Sequence, residues 1–249
     1  MRIIPAVAFC LLISAPVCAN AEFDWAAATL DNDLFVGSDD GYTNGLYVSL
    51  FEVNESELNP PTRPDFWVYP LLWSMPSAGA LGAVNAYTIG QTMSTPSDIT
   101  IANPADDDLP YSALLAMTNS YVVANPVYAD RASTTVGIVG PSALGEEAQK
   151  FVHQLIGSDE PLGWGTQLKD ELVFQFSRAR VWRKWVSETA HSDVLTSFDL
   201  SVGTIQSAVS AGFAFRYGRG LADSYATTLF NSTRAANPGA LDGGWYAIR

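Results

Sequence analysis

Apolar and small polar residues alternate with a period of two in many short segments of this chain. In residues 42–53, Leu46, Val48 and Leu50 occupy one face of an extended strand, and Thr43, Gly45 and Ser49 occupy the other. The alternation predicts strands of an all-β, antiparallel fold. We expect them near residues 23–31, 42–53, 84–93, 111–123, 127–139, 165–181, 193–203 and 205–217, with the start of another at 243–249.

Residues 140–164 interrupt this pattern with a predicted helix. Phe151, Val152, Leu155 and Ile156 recur at helical spacing, and Gly157 follows them as a C-cap. Gln149 and His153 are four residues apart, so we expect them on one face of the helix. Asp159 follows the cap, where the chain can turn back toward that face.

The first 21 residues have the features of a secretory signal peptide. Arg2 supplies a positive charge, Ile3–Val17 is almost wholly apolar, and Ala19-Asn20-Ala21 offers small residues for cleavage. The apolar run is shorter than the roughly 20 residues of a membrane-spanning helix. We therefore predict a mature chain that starts at Glu22 and forms one domain, 22–249.

Composition restricts the compartment and the partners. Both cysteines, Cys10 and Cys18, lie in the predicted signal peptide, so the mature chain is cysteine-free, which is common among bacterial envelope proteins. The net charge of −13 argues against a nucleic acid partner, and the sparse basic residues form no patch in the sequence. The chain is 48% apolar and lacks a later run of 18 apolar residues, so entry into a membrane requires a barrel. A transmembrane antiparallel β-barrel is our prediction, and a soluble β-sandwich with the same alternation is the alternative.

The aromatic segment, Phe66–Trp73, lies in the long connection between the second and third predicted strands. Its sequence, FWVYPLLW, combines large rings with polar ring atoms, which favours the headgroup level of a membrane. The alternative is a loop that packs on its own barrel.

Candidate chemistry is restricted by the two histidines, His153 and His191, which exclude a multi-histidine zinc site within one chain. The G-x-S-x-G signature of serine hydrolases is also missing. By contrast, residues 31–45, DNDLFVGSDDGYTNG, gather many oxygen ligands of the kind that calcium prefers. A cation there and a histidine that activates water would suit ester hydrolysis, although an acidic glycine-rich loop is usually only a turn and a lone surface histidine usually has no function.

A series of short motifs gives the chain a recognisable family character. They are Asn32-Asp33, Tyr42-Thr43-x-Gly45, Gln91-x-Met93-x-Thr95-Pro96, Gly137-x-x-Gly140-Pro141, Gly145-Glu146-Glu147-x-Gln149-x-x-x-His153 and Gly163-Trp164-x-x-Gln167-Leu168. In their order and spacing the chain resembles the lipid A 3'-O-deacylase family of the bacterial outer membrane, over about residues 23–249.

The resemblance implies a twelve-stranded barrel in the bacterial outer membrane, with a helix in an extracellular loop. It also implies calcium-dependent hydrolysis of the 3'-linked acyloxyacyl group of lipid A, the lipid part of lipopolysaccharide, with a water activated by histidine. The catalytic residues implied are His153, Gln149, Asn32 and Thr43. The implied calcium ligands are Asp33, Asn32, Thr43, Gly45 and Asp159.

The chain also departs from the family pattern. Asp159 stands where the family has a glutamate, Pro110-Tyr111-Ser112-Ala113 replaces a Pro-Tyr-Ala-Gly step, and no lysine lies between Thr95 and Pro110 for lipid phosphates. A barrel without enzymatic activity and a hydrolase of another lipid ester are therefore kept as alternatives. Eight predicted strands and a fragment of a ninth lead us to expect an incomplete barrel.

Overall fold

The computed structural model describes residues 23–32, 44–54, 63–75, 82–227 and 229. Eight strands form a single antiparallel sheet in the order of the sequence. Their bounds are β1 Trp25–Asn32, β2 Asn44–Asn54, β3 Gly82–Ser94, β4 Ser112–Ala124, β5 Tyr128–Val139, β6 Glu171–Val186, β7 Ser192–Gly203 and β8 Ala208–Tyr217. The helices are α1, Gly145–Ile156, and α2, Leu221–Ser224, with 3₁₀ helices at Phe66–Ser74, Pro141–Ala143, Trp164–Thr166 and Tyr225–Thr227.

Each strand of the sheet pairs with its sequence neighbours, as in an up-and-down barrel wall. This order excludes the two-sheet packing of the β-sandwich alternative for the described strands. Within the described ranges β1 and β8 do not pair with each other, so closure of the wall and the expected twelve strands remain predictions. The predicted ninth strand, 243–249, lies outside the described residues, as does the predicted signal peptide.

In the part of the chain that the structure describes, no helix has the length and apolar character needed to cross a membrane.

The two faces of the sheet differ in polarity as the alternation predicts. Small hydroxyl side chains pair across neighbouring strands on the inner face, for example Ser49 with Thr88 at 2.8 Å and Ser120 with Ser133 at 2.9 Å. A cavity of about 300 Å³ adjoins these strands and includes Thr88 and Ser133 in its lining. The outer face exposes large apolar side chains, including Leu46, Val48, Ile89, Phe174, Val202 and Phe213. An apolar exterior around a polar interior is the arrangement of a membrane barrel.

The two ends of the sheet carry different connections. At one end, which we call the turn end, β4–β5 and β6–β7 are joined by the short segments 125–127 and 187–191, and segment 55–81, which carries the aromatic segment, joins β2–β3. At the opposite end, the helix end, the long segments 95–111 and 140–170 join β3–β4 and β5–β6, the second of these contains α1, and the short segment 204–207 joins β7–β8. Short turns are typical of the periplasmic side of outer-membrane barrels and long loops of the extracellular side.

The inner face at the turn end is filled by an apolar cluster and by ion pairs. Phe51, Val181, Leu195 and Tyr225 are buried together there. Beside them Arg216 Nη2 lies 2.5 Å from Asp193 Oδ2, so the buried carboxylate is neutralised by a buried guanidinium. This packing fixes the strands at the turn end.

The aromatic segment packs on the outer face of the wall, in the half near the turn end. Val68 is fully buried against Ala83, Tyr121 and Ala132, and the Thr134 hydroxyl donates to the Trp67 carbonyl oxygen at 2.6 Å. Another part of the same segment stays exposed, namely Phe66, Tyr69 and Trp73. The segment therefore contacts its own barrel through one side, and lipid contact of its exposed rings stays a prediction.

The outer face of β6 corrects the expectation that basic residues form no patch. Arg178, Arg180 and Lys184 lie close together near the turn end, around Trp182. The first two are two residues apart, and a strand brings such residues to the same face. Four basic residues lie within residues 178–184, and the geometry of β6 brings these three together on the outer face.

Candidate active site at the helix end

Helix α1 lies on the outer wall of the sheet at the helix end. Its first residue, Gly145, is so close to β4 that an added Cβ would lie 2.4 Å from Ala113 Cβ. The Gln91 amide nitrogen donates to the Ala143 carbonyl oxygen at 2.5 Å, just before the helix. Gln91 has the same strand parity as Ile89, which is exposed on the outer face. The small residues at the contact thus dock the start of α1 on the outside of the wall.

A buried aromatic cluster supports α1 from beneath. Trp164 and Tyr111 are both fully buried, with ring centres 4.9 Å apart, and pack with Met93, Ala113 and Ala143. Burial raises the pKa of the Tyr111 hydroxyl, which donates to the Ile99 carbonyl oxygen at 3.1 Å. The cluster joins the helix to the two long connections at the helix end.

The ends of α1 follow from its sequence. Glu146 and Glu147 occupy the first turn, where acidic side chains interact favourably with the helix dipole. Gly157 ends the helix in the left-handed conformation at φ 70°, and its N–H donates to the His153 carbonyl oxygen. The predicted C-cap is confirmed, and it turns the chain back along the last turn of α1.

The reversal after Gly157 places a backbone carbonyl against the His153 ring. His153 Nδ1 lies 2.5 Å from the carbonyl oxygen of Asp159. Because a carbonyl oxygen can only accept, this hydrogen bond requires the proton on Nδ1. In the neutral ring Nε2 then carries the lone pair, which is the state that a general base needs.

Gln149 lies one turn earlier on α1, on the same side as His153, and is buried. Its Oε1 accepts a hydrogen bond of 2.7 Å from Trp164 Nε1. Its Nε2 is also buried and has no hydrogen-bond partner among the described residues. A buried donor without a partner costs free energy and requires a structural or functional explanation.

Charged side chains fix the approach to α1. Asp170, at the start of β6, accepts hydrogen bonds from Ser142 N at 2.8 Å and Ser142 Oγ at 2.7 Å. These hydrogen bonds lower the pKa of the Asp170 carboxyl. On α1 itself Lys150 Nζ is 2.8 Å from Glu146 Oε1, and the hydrogen bond and charge of Glu146 raise the pKa of the Lys150 amine. Lys150 is therefore engaged on the helix surface.

The other predicted half of the site begins at the same end of the sheet. The backbone of Asn32 pairs with Asn44, Asn44 with Met93, and Met93 with Ala113, which contacts Gly145. Three strand spacings, roughly 14 Å, thus separate the Asn32 backbone from the start of α1. Gly45 is buried and pairs with Asp31 and Thr92 in the next row.

Several predicted residues cannot be placed within this geometry. Asp33, Thr43 and the side chain of Asn32 lie outside the described residues. The described ranges contain no group of three or more histidine, cysteine, aspartate or glutamate side chains placed to hold a metal ion. Asp159 contributes its backbone carbonyl to His153, and its side chain is exposed. Calcium binding at this site and the set of calcium ligands stay predictions.

The structure adds two residues with positioning roles that the sequence did not assign. Trp164 orients Gln149, and Asp170 holds the turn before α1. The signal for Trp164 was its place in the Gly163-Trp164 motif, whereas an isolated aspartate at a strand start gives none. His191 lies in the turn between β6 and β7, at the opposite end of the sheet from α1.

Comparison with known proteins agrees with this architecture. A family model described as "Outer membrane protein LpxR" matches residues 6–248. Among solved structures, LpxR from Salmonella typhimurium is similar, with a TM-score of 0.53 and 17% sequence identity over 78% of this chain. The chain spans 60% of the length of that structure. No curated protein matches the sequence.

The structural likeness confirms the fold class, an antiparallel outer-membrane barrel wall with a helix in one connection, and the family match confirms the resemblance seen in the motifs. Because the family model covers nearly the whole sequence, the chain belongs to the outer membrane protein LpxR family and is a protein of the bacterial outer membrane.

Proposed function

We propose that the protein is an outer-membrane lipid A deacylase that hydrolyses the ester of the 3'-linked acyloxyacyl group. The observation that carries this proposal is the pair on α1, in which His153 has its Nδ1 proton bound to a carbonyl and Gln149 has a buried amide donor without a partner among the described residues. The pair lies on the outside of the wall, where membrane lipids are the neighbours. Membership of the LpxR family supports the same activity.

In the proposed reaction His153 Nε2 removes a proton from water, and the resulting hydroxide attacks the ester carbonyl carbon. We assign the Gln149 amide to the oxygen that becomes negative in the tetrahedral intermediate, a contact that requires substrate binding to open access to this buried group. When the intermediate collapses, the bond to the 3' oxygen of the sugar breaks. The His153 imidazolium returns its proton to that oxygen, and the acyloxyacyl group leaves as a carboxylic acid.

Calcium is part of the proposal through the family resemblance. The residues proposed to hold it are Asn32, Asp33, Thr43, Gly45 and Asp159. A bound cation there would supply additional polarisation of the ester carbonyl. We expect a chelator to abolish activity, and we expect an Asp33→Ala protein to recover part of its activity at higher calcium.

The test is the release of 3' acyloxyacyl chains from purified lipid A, followed by mass spectrometry. A His153→Asn protein keeps the size of the side chain but lacks the base, so its turnover should fall by roughly 10²- to 10⁴-fold. His191→Ala is the matched control and should remain active, because His191 lies at the turn end. Full turnover by His153→Asn would contradict the proposed mechanism.

The same assay separates the alternatives. Release of fatty acids from phospholipids without action on lipid A would identify a hydrolase of another lipid ester. A folded protein that releases nothing from either substrate, with and without calcium, would indicate a barrel without enzymatic activity.

A further inference from the structure

Basic and aromatic side chains gather on the outer wall at the turn end, far from α1. We call the group Tyr128, Arg178, Arg180, Trp182 and Lys184 the basic–aromatic patch. Tyr128 begins β5 and pairs with Trp182 near the end of β6, while Arg180 pairs with Asp130. The patch is therefore close to the short turns, at the expected periplasmic edge of the membrane.

The cations of the patch are held against aromatic rings. Arg180 Cζ lies 4.6 Å from the ring centre of Tyr128 and 5.8 Å from that of Trp182. Lys184 Nζ lies 5.3 Å from the ring centre of Trp182, on the same patch. Cation–π contacts of this kind fix the charged groups without neutralising them.

The wall presents an excess of positive charge at this place. Asp130 is the acidic member: Arg180 bonds both of its oxygens, at 2.7 and 2.8 Å, and Arg178 bonds one of them. The Asp130 side chain is 1% exposed, so its charge is hidden beneath the two guanidinium groups. Lys184 is exposed and has no ion-pair partner among the described residues. Three cations and one buried carboxylate leave a net positive surface on a chain of net charge −13.

The aromatic segment borders the patch. Arg178 Nε donates to Ser74 Oγ at 3.0 Å and Nη2 to the Ser74 carbonyl oxygen at 3.2 Å, so this arginine ties the end of the segment to the wall. Trp73, the preceding residue, is 87% exposed. Arg178 is thus mainly structural, and Arg180 and Lys184 are the cations available to a ligand.

We propose that the basic–aromatic patch binds the headgroup of an anionic phospholipid in the periplasmic leaflet. The phosphate would approach Arg180 and Lys184, and the glycerol region would contact Trp182 and Tyr128, since such rings favour the headgroup level. A free phosphate ion has the charge but lacks the acyl chains that would lie along the apolar outer wall. The site is independent of the proposed deacylation, because α1 lies at the other end of the strands.

The test counts bound lipids by native mass spectrometry of the full chain in a non-ionic detergent. Dioleoyl phosphatidylglycerol is the probe, dioleoyl phosphatidylcholine is the zwitterionic control, and inorganic phosphate is the competitor. We expect phosphatidylglycerol to be retained in preference to phosphatidylcholine, and phosphate not to displace it. Each basic residue near a membrane surface contributes about fivefold in affinity, so Lys184→Gln should weaken binding about fivefold, and its combination with Arg180→Gln about 25-fold.

Two further variants serve as controls for this test. Arg180→Lys keeps the charge if Arg180→Gln disturbs the buried Asp130, and it should bind within about twofold of the wild type. Lys169→Gln removes the same charge at the helix end and should leave binding unchanged. Equal retention of both phospholipids, an equal loss in Lys169→Gln, an unchanged affinity in Lys184→Gln, or displacement by phosphate would each overturn the proposal.

Discussion

Replacing Gln149 by Met tests whether its amide donor, which has no partner among the described residues, takes part in the reaction. Methionine has a similar length and volume and removes both the acceptor that binds Trp164 and the donor that has no partner. The side chain is 3% exposed, so solvent does not compensate either group. The substitution therefore affects stability and catalysis through different atoms of one residue.

The two effects on stability oppose each other. Removal of the unpaired Nε2 relieves a buried polar group, which stabilises the fold by about 1–3 kcal/mol, while the loss of Oε1 leaves Trp164 Nε1 unpaired at a similar cost. The net change in the free energy of unfolding should therefore stay within about 2 kcal/mol. In catalysis nothing compensates: the loss of one donor to an oxyanion lowers kcat by roughly 10²- to 10³-fold.

The assay measures kcat on lipid A beside the unfolding midpoint of the same detergent-solubilised sample. Trp164→Phe is the companion variant, since it removes the group that orients Gln149 but keeps the amide. We expect it to lose less activity than Gln149→Met and to lose more stability, because it also leaves a cavity next to Tyr111. The reasoning is refuted if Gln149→Met keeps kcat within about threefold, or if its activity loss only follows unfolding of α1.

Three further outcomes follow from other contacts. Gly145→Val should detach the start of α1 from Ala113 and abolish activity, while the strands stay folded, as judged by limited proteolysis and heat-modifiable migration. The hydrogen bonds from Ser142 lower the pKa of the Asp170 carboxyl. Their contribution to stability is fully present above the ordinary pKa of 3.8 and is lost as the pH falls through the lowered pKa. Protection of the Ser142 amide, measured relative to its intrinsic exchange rate, should therefore fall in acid, and Asp170→Asn should lower this protection at neutral pH. Trp73→Phe should remove much of the fluorescence quenching by brominated lipids, because this ring is largely exposed; equal quenching in both proteins would contradict an interfacial position of the aromatic segment.

Strand positions were predictable because the outer face of a membrane barrel is apolar and the inner face is polar, so the two kinds of residue alternate along each strand. Leu46 and Val48 face outward and Ser49 inward, as the alternation requires. The largest error is β6, predicted at 165–181 and observed at Glu171–Val186. Residues before Glu171 include the 3₁₀ helix that buries Trp164, and the strand then continues through a bulge between Arg183 and Trp185. Neither a tertiary anchor nor a bulge has a periodic signal.

The site was predictable in part. The helix, its C-cap and the shared side of Gln149 and His153 follow from local spacing, and the structure has all three. The side of the wall on which α1 lies depends on the match of Gly145 to Ala113, which belongs to a distant strand. The role of the Asp159 carbonyl was also missed, because a sequence shows the side chain and gives no sign of a backbone contact.

The position of α1 outside the wall has a consequence for how a lipid reaches the proposed active site. A site inside the lumen would require a lipid to leave the bilayer and pass polar side chains such as those near Ser133. On the outer wall, a lipid can approach His153 by lateral movement while its acyl chains remain among apolar surfaces. Phe151 and Leu155, on the face of α1 opposite to Gln149 and His153, are exposed at 63% and 70%, which is the composition expected of a helix that lies at the membrane boundary. The ester bond of a lipid lies at that same boundary, between headgroup and hydrocarbon, so this position would let the proposed base reach the proposed lipid substrate without extracting it from the membrane.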